Sequence, residues 1–134
     1  MFMITVEGTF DAAHRLDGYP GKCSNLHGHT WKVEATWYFT ELNGTGMTVD
    51  FKELDKILQE VLEVYDHQYL NDHMVIPPTA ENLARLLFLQ LDAATEILLQ
   101  ELPSSGLSDV TVWETEKHCA TYMEDAAIGI GEER

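Results

Sequence analysis

The chain of 134 residues contains only two cysteines, four prolines and eight Lys or Arg residues. Cys23 and Cys119 cannot build the disulfide framework that replaces a core in small secreted domains, so a reducing compartment is expected. Against eight basic residues stand 23 acidic ones, for a formal net charge of −15. Nucleic acids and anionic membrane surfaces are both bound through clustered Lys and Arg, so neither is expected as a partner. No window approaches the roughly 20 apolar residues that span a bilayer, and the first residues lack a basic stretch followed by an apolar run. A cytoplasmic protein is the expectation. The hydrophobic content of 45% belongs to a folded chain. Residues 1–124 are expected to form a single domain, and 125–134, DAAIGIGEER, a loose tail.

What is present is patterning. Ile4, Val6, Gly8, Phe10, Ala12 and His14 fall on alternate positions, which predicts a strand from Met3 to His14. His27, His29, Trp31, Val33, Ala35, Trp37 and Phe39 predict a second, over 27–39. The loop ELNGTG is expected to turn the chain into a short strand at Met47–Val49, completing a meander. Asp50 as N-cap with Glu53 three residues on starts a helix, whose apolar stripe is Leu54, Ile57, Leu58, Val61, Leu62 and Tyr65. A second helix is predicted from Thr79 through Leu98. Ser108–Thr115 alternates as a strand, with a further strand after the turn at Glu116–His118. The fold class is α+β, a mainly antiparallel sheet with two helices on one face. Strands one and two are expected to leave open edges, and such edges invite assembly into a homo-oligomer.

Chemistry concentrates at one hairpin end. His27 and His29, two apart on a strand, point the same way with Gly28 between them. An antiparallel hairpin brings His14 to them. Three neutral imidazoles suit Zn2+ and leave a fourth position open, as a catalytic site requires. Cys23, in the loop between the strands, is either the fourth ligand of a closed structural site or a free reactive thiol. Asp66-His67 after the first helix pairs an imidazole with a carboxylate able to fix its tautomer, though such pairs also occur as simple caps. Glu114 follows Val110 and Val112 at strand spacing, so either it or Trp113 faces the apolar side.

The segments Phe10-Asp-Ala-Ala-His14-Arg-Leu16, Cys23-Ser-Asn-Leu-His27-Gly-His29, Asp66-His67-Gln-Tyr-Leu70-Asn71, Pro78-Thr-Ala-Glu-Asn82 and Trp113-Glu114-Thr115 occur in this order. Together they resemble the 6-pyruvoyl-tetrahydropterin synthase superfamily, from residue 4 to about 123. The three residues between Cys23 and His27 resemble the spacing of its bacterial and archaeal 6-carboxytetrahydropterin synthases.

That resemblance implies a zinc-dependent carbon–carbon lyase. It would convert 7,8-dihydroneopterin triphosphate to 6-carboxy-5,6,7,8-tetrahydropterin with loss of acetaldehyde and triphosphate, toward queuosine and related 7-deazapurines. It implies zinc on His14, His27 and His29, Cys23 as proton acceptor, His67 with Asp66 as relay, and Glu114 gripping the pterin. Thr79, Ala80 and Glu81 would line the pterin pocket, although Thr79 also reads as a plain N-cap. The implied architecture is the tunnelling fold, an oligomeric barrel of trimers stacked into hexamers with pockets between subunits. Arg15, Lys22 and Lys117, beside motif residues, are candidates for the triphosphate by position. The charged Glu116-Lys117-His118 departs from the family's usual small and polar residues, and His73 is extra. Rival expectations are a pyruvoyl-forming or sepiapterin-cleaving relative and a non-catalytic zinc-binding module.

Overall fold

A computed structural model describes residues 1–124; the expected loose tail at 125–134 lies outside them. The architecture is α+β. Strands β1 (Phe2–His14) and β2 (His27–Phe39) form a long antiparallel hairpin in which His14 stands opposite His27 and Phe2 opposite Phe39. After helix α1 (Phe51–Glu63) comes a two-residue strand, β3 (Gln68–Tyr69). Helices α2 (Ala80–Ala94) and α3 (Glu96–Leu99) follow, then β4 (Gly106–Thr115) and β5 (His118–Tyr122). The sheet order is β3-β1-β2-β4-β5, with only the β1–β3 pair parallel.

One face of this sheet carries the core. Val6, Phe10, Ala12 and His14 of β1 alternate inward, as do Trp31, Val33, Ala35, Trp37 and Phe39 of β2. A register shift at Thr36/Trp37 lets β4 present Leu107, then Val110 and Val112, to the same side. Leu54, Leu58 and Leu62 of α1 and Leu83, Leu87 and Leu91 of α2 cover these residues. Gly8 permits the close approach of α1, for a Cβ there would lie 2.8 Å from Gln59 Nε2 and 3.0 Å from Leu62 Cδ1.

Three expectations are corrected. Met47–Val49 forms no strand, because Asn43 wraps its own loop: its Oδ1 accepts from Thr45 N, Thr45 Oγ1 and Met47 N, and its backbone N–H donates to Met47 O. The second helix does not run unbroken to Leu98. Thr95, fully buried, donates its hydroxyl to the Leu91 carbonyl at 2.8 Å, and its backbone leaves helical geometry before α3 begins. The second strand is central, between β1 and β4, whereas the first meets β3 only at Ala12 and Ala13 and keeps the rest of its outer edge unpaired among the described residues. No helix among the described residues is long and apolar enough to cross a membrane.

Leu58 is completely buried beneath the hairpin. Leu58→Ala is therefore expected to lower unfolding free energy by about 2–5 kcal/mol in urea titration, while a loss under 1 kcal/mol would contradict this packing.

Candidate active site

The carboxyl end of β1, the amino end of β2, the carboxyl end of β4 and the start of α2 meet at one end of the sheet. There one ring nitrogen each from His14, His27 and His29 lies within 4.8 Å of the others. His14 is fully buried, with the edge of the Trp31 ring packed against both it and His29 at centroid distances of 5.0 and 5.2 Å.

Hydrogen bonding decides which nitrogens are free. Nδ1 of His14 stands 2.8 Å from the Pro78 carbonyl oxygen, and Nδ1 of His27 stands 2.7 Å from that of Asn25. A carbonyl only accepts, so each Nδ1 carries the proton and each Nε2 of a neutral ring presents a lone pair. These two Nε2 atoms face one another at 3.0 Å. Lone pairs so close repel unless a cation lies between them. Nε2 of His29 is buried with no hydrogen-bond partner. Glu114 adds negative charge, its Oε2 standing 3.7 Å from His14 Nε2. The donor set thus fits a divalent metal with nitrogen preference, and the backbone carbonyls fix ring tautomers as metal sites require.

Burial, more than any other cause, holds His14 below the ordinary histidine value of 6.5; the Pro78 bond and Glu114 oppose it and His27 reinforces it. His29 is lowered too, first by burial, with Glu114 opposing and the other two histidines reinforcing.

The cluster of ligand atoms comprises the three histidines without Cys23, which sits half-buried on a single turn, Lys22–Ser24, whose Cys23 carbonyl accepts from Leu16 N. Trp113 lies on the sheet face away from the helices, donating Nε1–H to Glu34 under the Lys32 ammonium 5.1 Å from its ring centroid. Glu114 is the unpaired residue of a bulge, since Trp113 pairs with Cys119 and Thr115 with His118. Thr79 is an N-cap, accepting from Asn82 N at 3.1 Å; Ala80 and exposed Glu81 begin α2.

Asp66 and His67 form a separate group at the outer edge of β1. His67 Nδ1 lies 3.0 Å from Asp66 Oδ2, so Nδ1–H donates and Nε2 is free. Asp66 Oδ1 accepts from Asp11 N, the largest of the effects that hold this carboxyl below its usual range, followed by the bond to His67. His67 adopts a positive φ of 60° and donates its backbone N–H to Asp11 O. No hydrogen bond among the described residues joins this pair to Cys23 or to the three histidines. Arg15 points to Asp17, with Nε 2.8 Å from its carboxylate; Lys22 and Lys117 are exposed on turns without an ion-pair partner among the described residues. No contact among the described residues gathers the three cations.

Sequence reasoning missed Asp11, which joins the Asp66–His67 group and accepts from Thr30 Oγ1. Counting back along the hairpin from His14 opposite His27 puts Asp11 beside Thr30, so that signal was present. It also missed the Pro78 and Asn25 carbonyls, which carry no side-chain signature.

Residues 3–125 match the 6-pyruvoyl tetrahydropterin synthase family. The chain belongs to that family. It is 30% identical to a 6-carboxy-5,6,7,8-tetrahydropterin synthase of Haemophilus influenzae, covering 92% of this chain and 100% of the relative. Identity is 35% to the Synechocystis protein of the same description, over 92% and 94% of the two chains. Among solved structures, Caenorhabditis elegans 6-pyruvoyl tetrahydropterin synthase superposes with a TM-score of 0.74 at 31% identity, over 92% and 97%. The family is enzymatic, and this member carries its histidine cluster on the same sheet end that the sequence motifs indicated.

The lowered histidines make a pH prediction for the metal-stripped family member. When the folded-state value lies below the unfolded one, the unfolded chain protonates first as pH falls. Stability present above about pH 6.5 is then lost from there down toward the lower folded values. The thermal midpoint is expected to drop between about pH 7.5 and 5.5 by this linkage. A His14→Gln/His29→Gln double variant should flatten that slope; an equal slope in both proteins would contradict the assignment.

Proposed function

We propose that this protein is a zinc-dependent carbon–carbon lyase converting 7,8-dihydroneopterin triphosphate and water to 6-carboxy-5,6,7,8-tetrahydropterin, acetaldehyde and triphosphate, a step toward queuosine. The observation that carries the reading is the convergence of three histidine nitrogens, two of them with opposed lone pairs 3.0 Å apart, beside the Glu114 carboxylate. The names borne by relatives spanning over nine-tenths of the chain support the carboxy product.

His14, His27 and His29 would hold Zn2+. When bound, it supplies a Lewis acid that polarises a side-chain oxygen of the substrate and acidifies the adjoining C–H. Cys23 is then the group that accepts the proton, from a turn at the mouth of the histidine cluster's own hairpin. His67 relays protons through its free Nε2 while Asp66 fixes its tautomer. Glu114 accepts two parallel hydrogen bonds from the amino group and ring N–H of the pterin. The start of α2 at Thr79, Ala80 and Glu81 borders the ring.

The separation of the Asp66–His67 pair from the cluster within one chain is consistent with pockets between subunits. We read the protein as a cytoplasmic homo-oligomer, built on trimers and reaching a hexamer; the sheet edges at β1, beyond its two β3 pairs, and at β5, unpaired among the described residues, support assembly. A net charge of −15 repels a triphosphate, so local cations must offset it, and Arg15, Lys22 and Lys117 take that role.

Zinc-loaded protein incubated with 7,8-dihydroneopterin triphosphate is expected to release acetaldehyde, trapped as a hydrazone. A 6-pyruvoyl product without acetaldehyde would replace the carboxy assignment, in line with the solved C. elegans relative. Cys23→Ala and His67→Ala should each lower kcat by about 10²- to 10⁴-fold with zinc content unchanged. For the triphosphate, Arg15→Ala and Lys22→Ala are expected to raise KM severalfold at low salt; an unchanged KM removes those residues from the site.

A further inference from the structure

Next to the backbone that carries His14 and to the carbonyl that meets its ring, two side-chain amides make hydrogen bonds without touching an imidazole. Asn71 clamps the residue after His14: Oδ1 accepts from Arg15 N at 2.9 Å, and Nδ2 donates to Arg15 O at 2.9 Å. This two-point bond takes the place of a strand partner just past the end of β1, where β3 has already stopped.

On the other side of the ring, Asn82 Nδ2 donates to the Pro77 carbonyl at 2.9 Å. Arg85 Nη2 donates to Asn82 Oδ1 at 3.1 Å, which sets the direction of the amide. The Pro77 carbonyl also accepts from Thr79 N at 2.8 Å. Pro77 and Pro78 have no N–H of their own, so this turn is closed from outside. Between these two bonds, the Pro78 carbonyl is left aimed at His14 Nδ1, 2.8 Å away.

The side chain of Asn82 takes no part in the Thr79 cap of α2. The Thr79 cap uses the backbone N–H of Asn82, which any residue but proline supplies. The side-chain amide is free for a different task.

We propose that Asn71 and Asn82 are positioning residues for the metal ligand His14. Asn71 fixes the backbone that carries the ring, and Asn82 fixes the carbonyl that keeps the ring proton on Nδ1. An imidazole so held offers Nε2 in one tautomer and one direction, and loss of such outer partners weakens metal binding. The inference rests on the three-histidine metal centre, and its test separates the two.

Zinc affinity of the metal-stripped full chain is measured by competition with a chromophoric chelator, for wild type, His14→Ala, Asn71→Ala, Asn82→Ala and Asp50→Ala. Each Asn variant is expected to bind zinc about 10- to 100-fold more weakly with unchanged far-UV circular dichroism. Asn82→Asp, which keeps the shape and loses the donor, should show the same loss and replaces Asn82→Ala if that variant does not fold. Asp50→Ala removes the cap of α1, so it should lower the thermal midpoint and leave zinc affinity alone. Asn variants within twofold of wild type overturn the proposal, as does an equal loss in Asp50→Ala. A wild type that binds no zinc, or His14→Ala binding as tightly as wild type, overturns the metal centre itself.

Discussion

The register of β1 against β2 is the constraint on which the other features depend. With His14 opposite His27, the inward positions of both strands are apolar from the far end of the hairpin up to the histidines. A slip by one residue would turn every one of these side chains to the opposite face. The same register sets Asp11 beside Thr30 on the outer face, and the Asp66–His67 group is built upon the Asp11 backbone. One pairing thus locates the histidine cluster on one side of the sheet and the Asp66–His67 pair at its edge.

Much of this was legible in the sequence because strand periodicity is local. Alternation gave β2 its limits of His27 and Phe39, and the Asp50 cap gave α1 its start. The convergence of His14 with His27 and His29 followed from the hairpin. What could not be read depended on contacts far apart in the chain. The parallel β3 is two residues long and exists by pairing with Ala12 and Ala13. The end of α2 is set where Thr95 meets the Trp37 indole, 58 residues away in sequence. The Asn-Gly turn was expected to lead into a strand; instead the Asn43 side chain consumed the backbone donors a strand would have needed.

At the site the division is similar. Residue type and spacing pointed to the three histidines, but the atoms that orient two of them, His14 and His27, are the carbonyls of Pro78 and Asn25, invisible in a residue code. Whether Trp113 or Glu114 faced inward could not be settled by alternation, because the strand carries large groups on both faces. The contacts of Glu114 with His14 and of Trp113 with Glu34 distinguish the two faces.

The bulge in β4 leaves Glu114 without a ladder partner on β5 while Val112 and Thr115 stay paired. The bulge re-aims this side chain where it meets the cluster, with Oε2 3.7 Å from His14 Nε2. Without that extra residue the end of β4 would fall back into register with β5 and aim its carboxylate elsewhere, so the place of this acid beside the histidines rests on a single insertion in one strand.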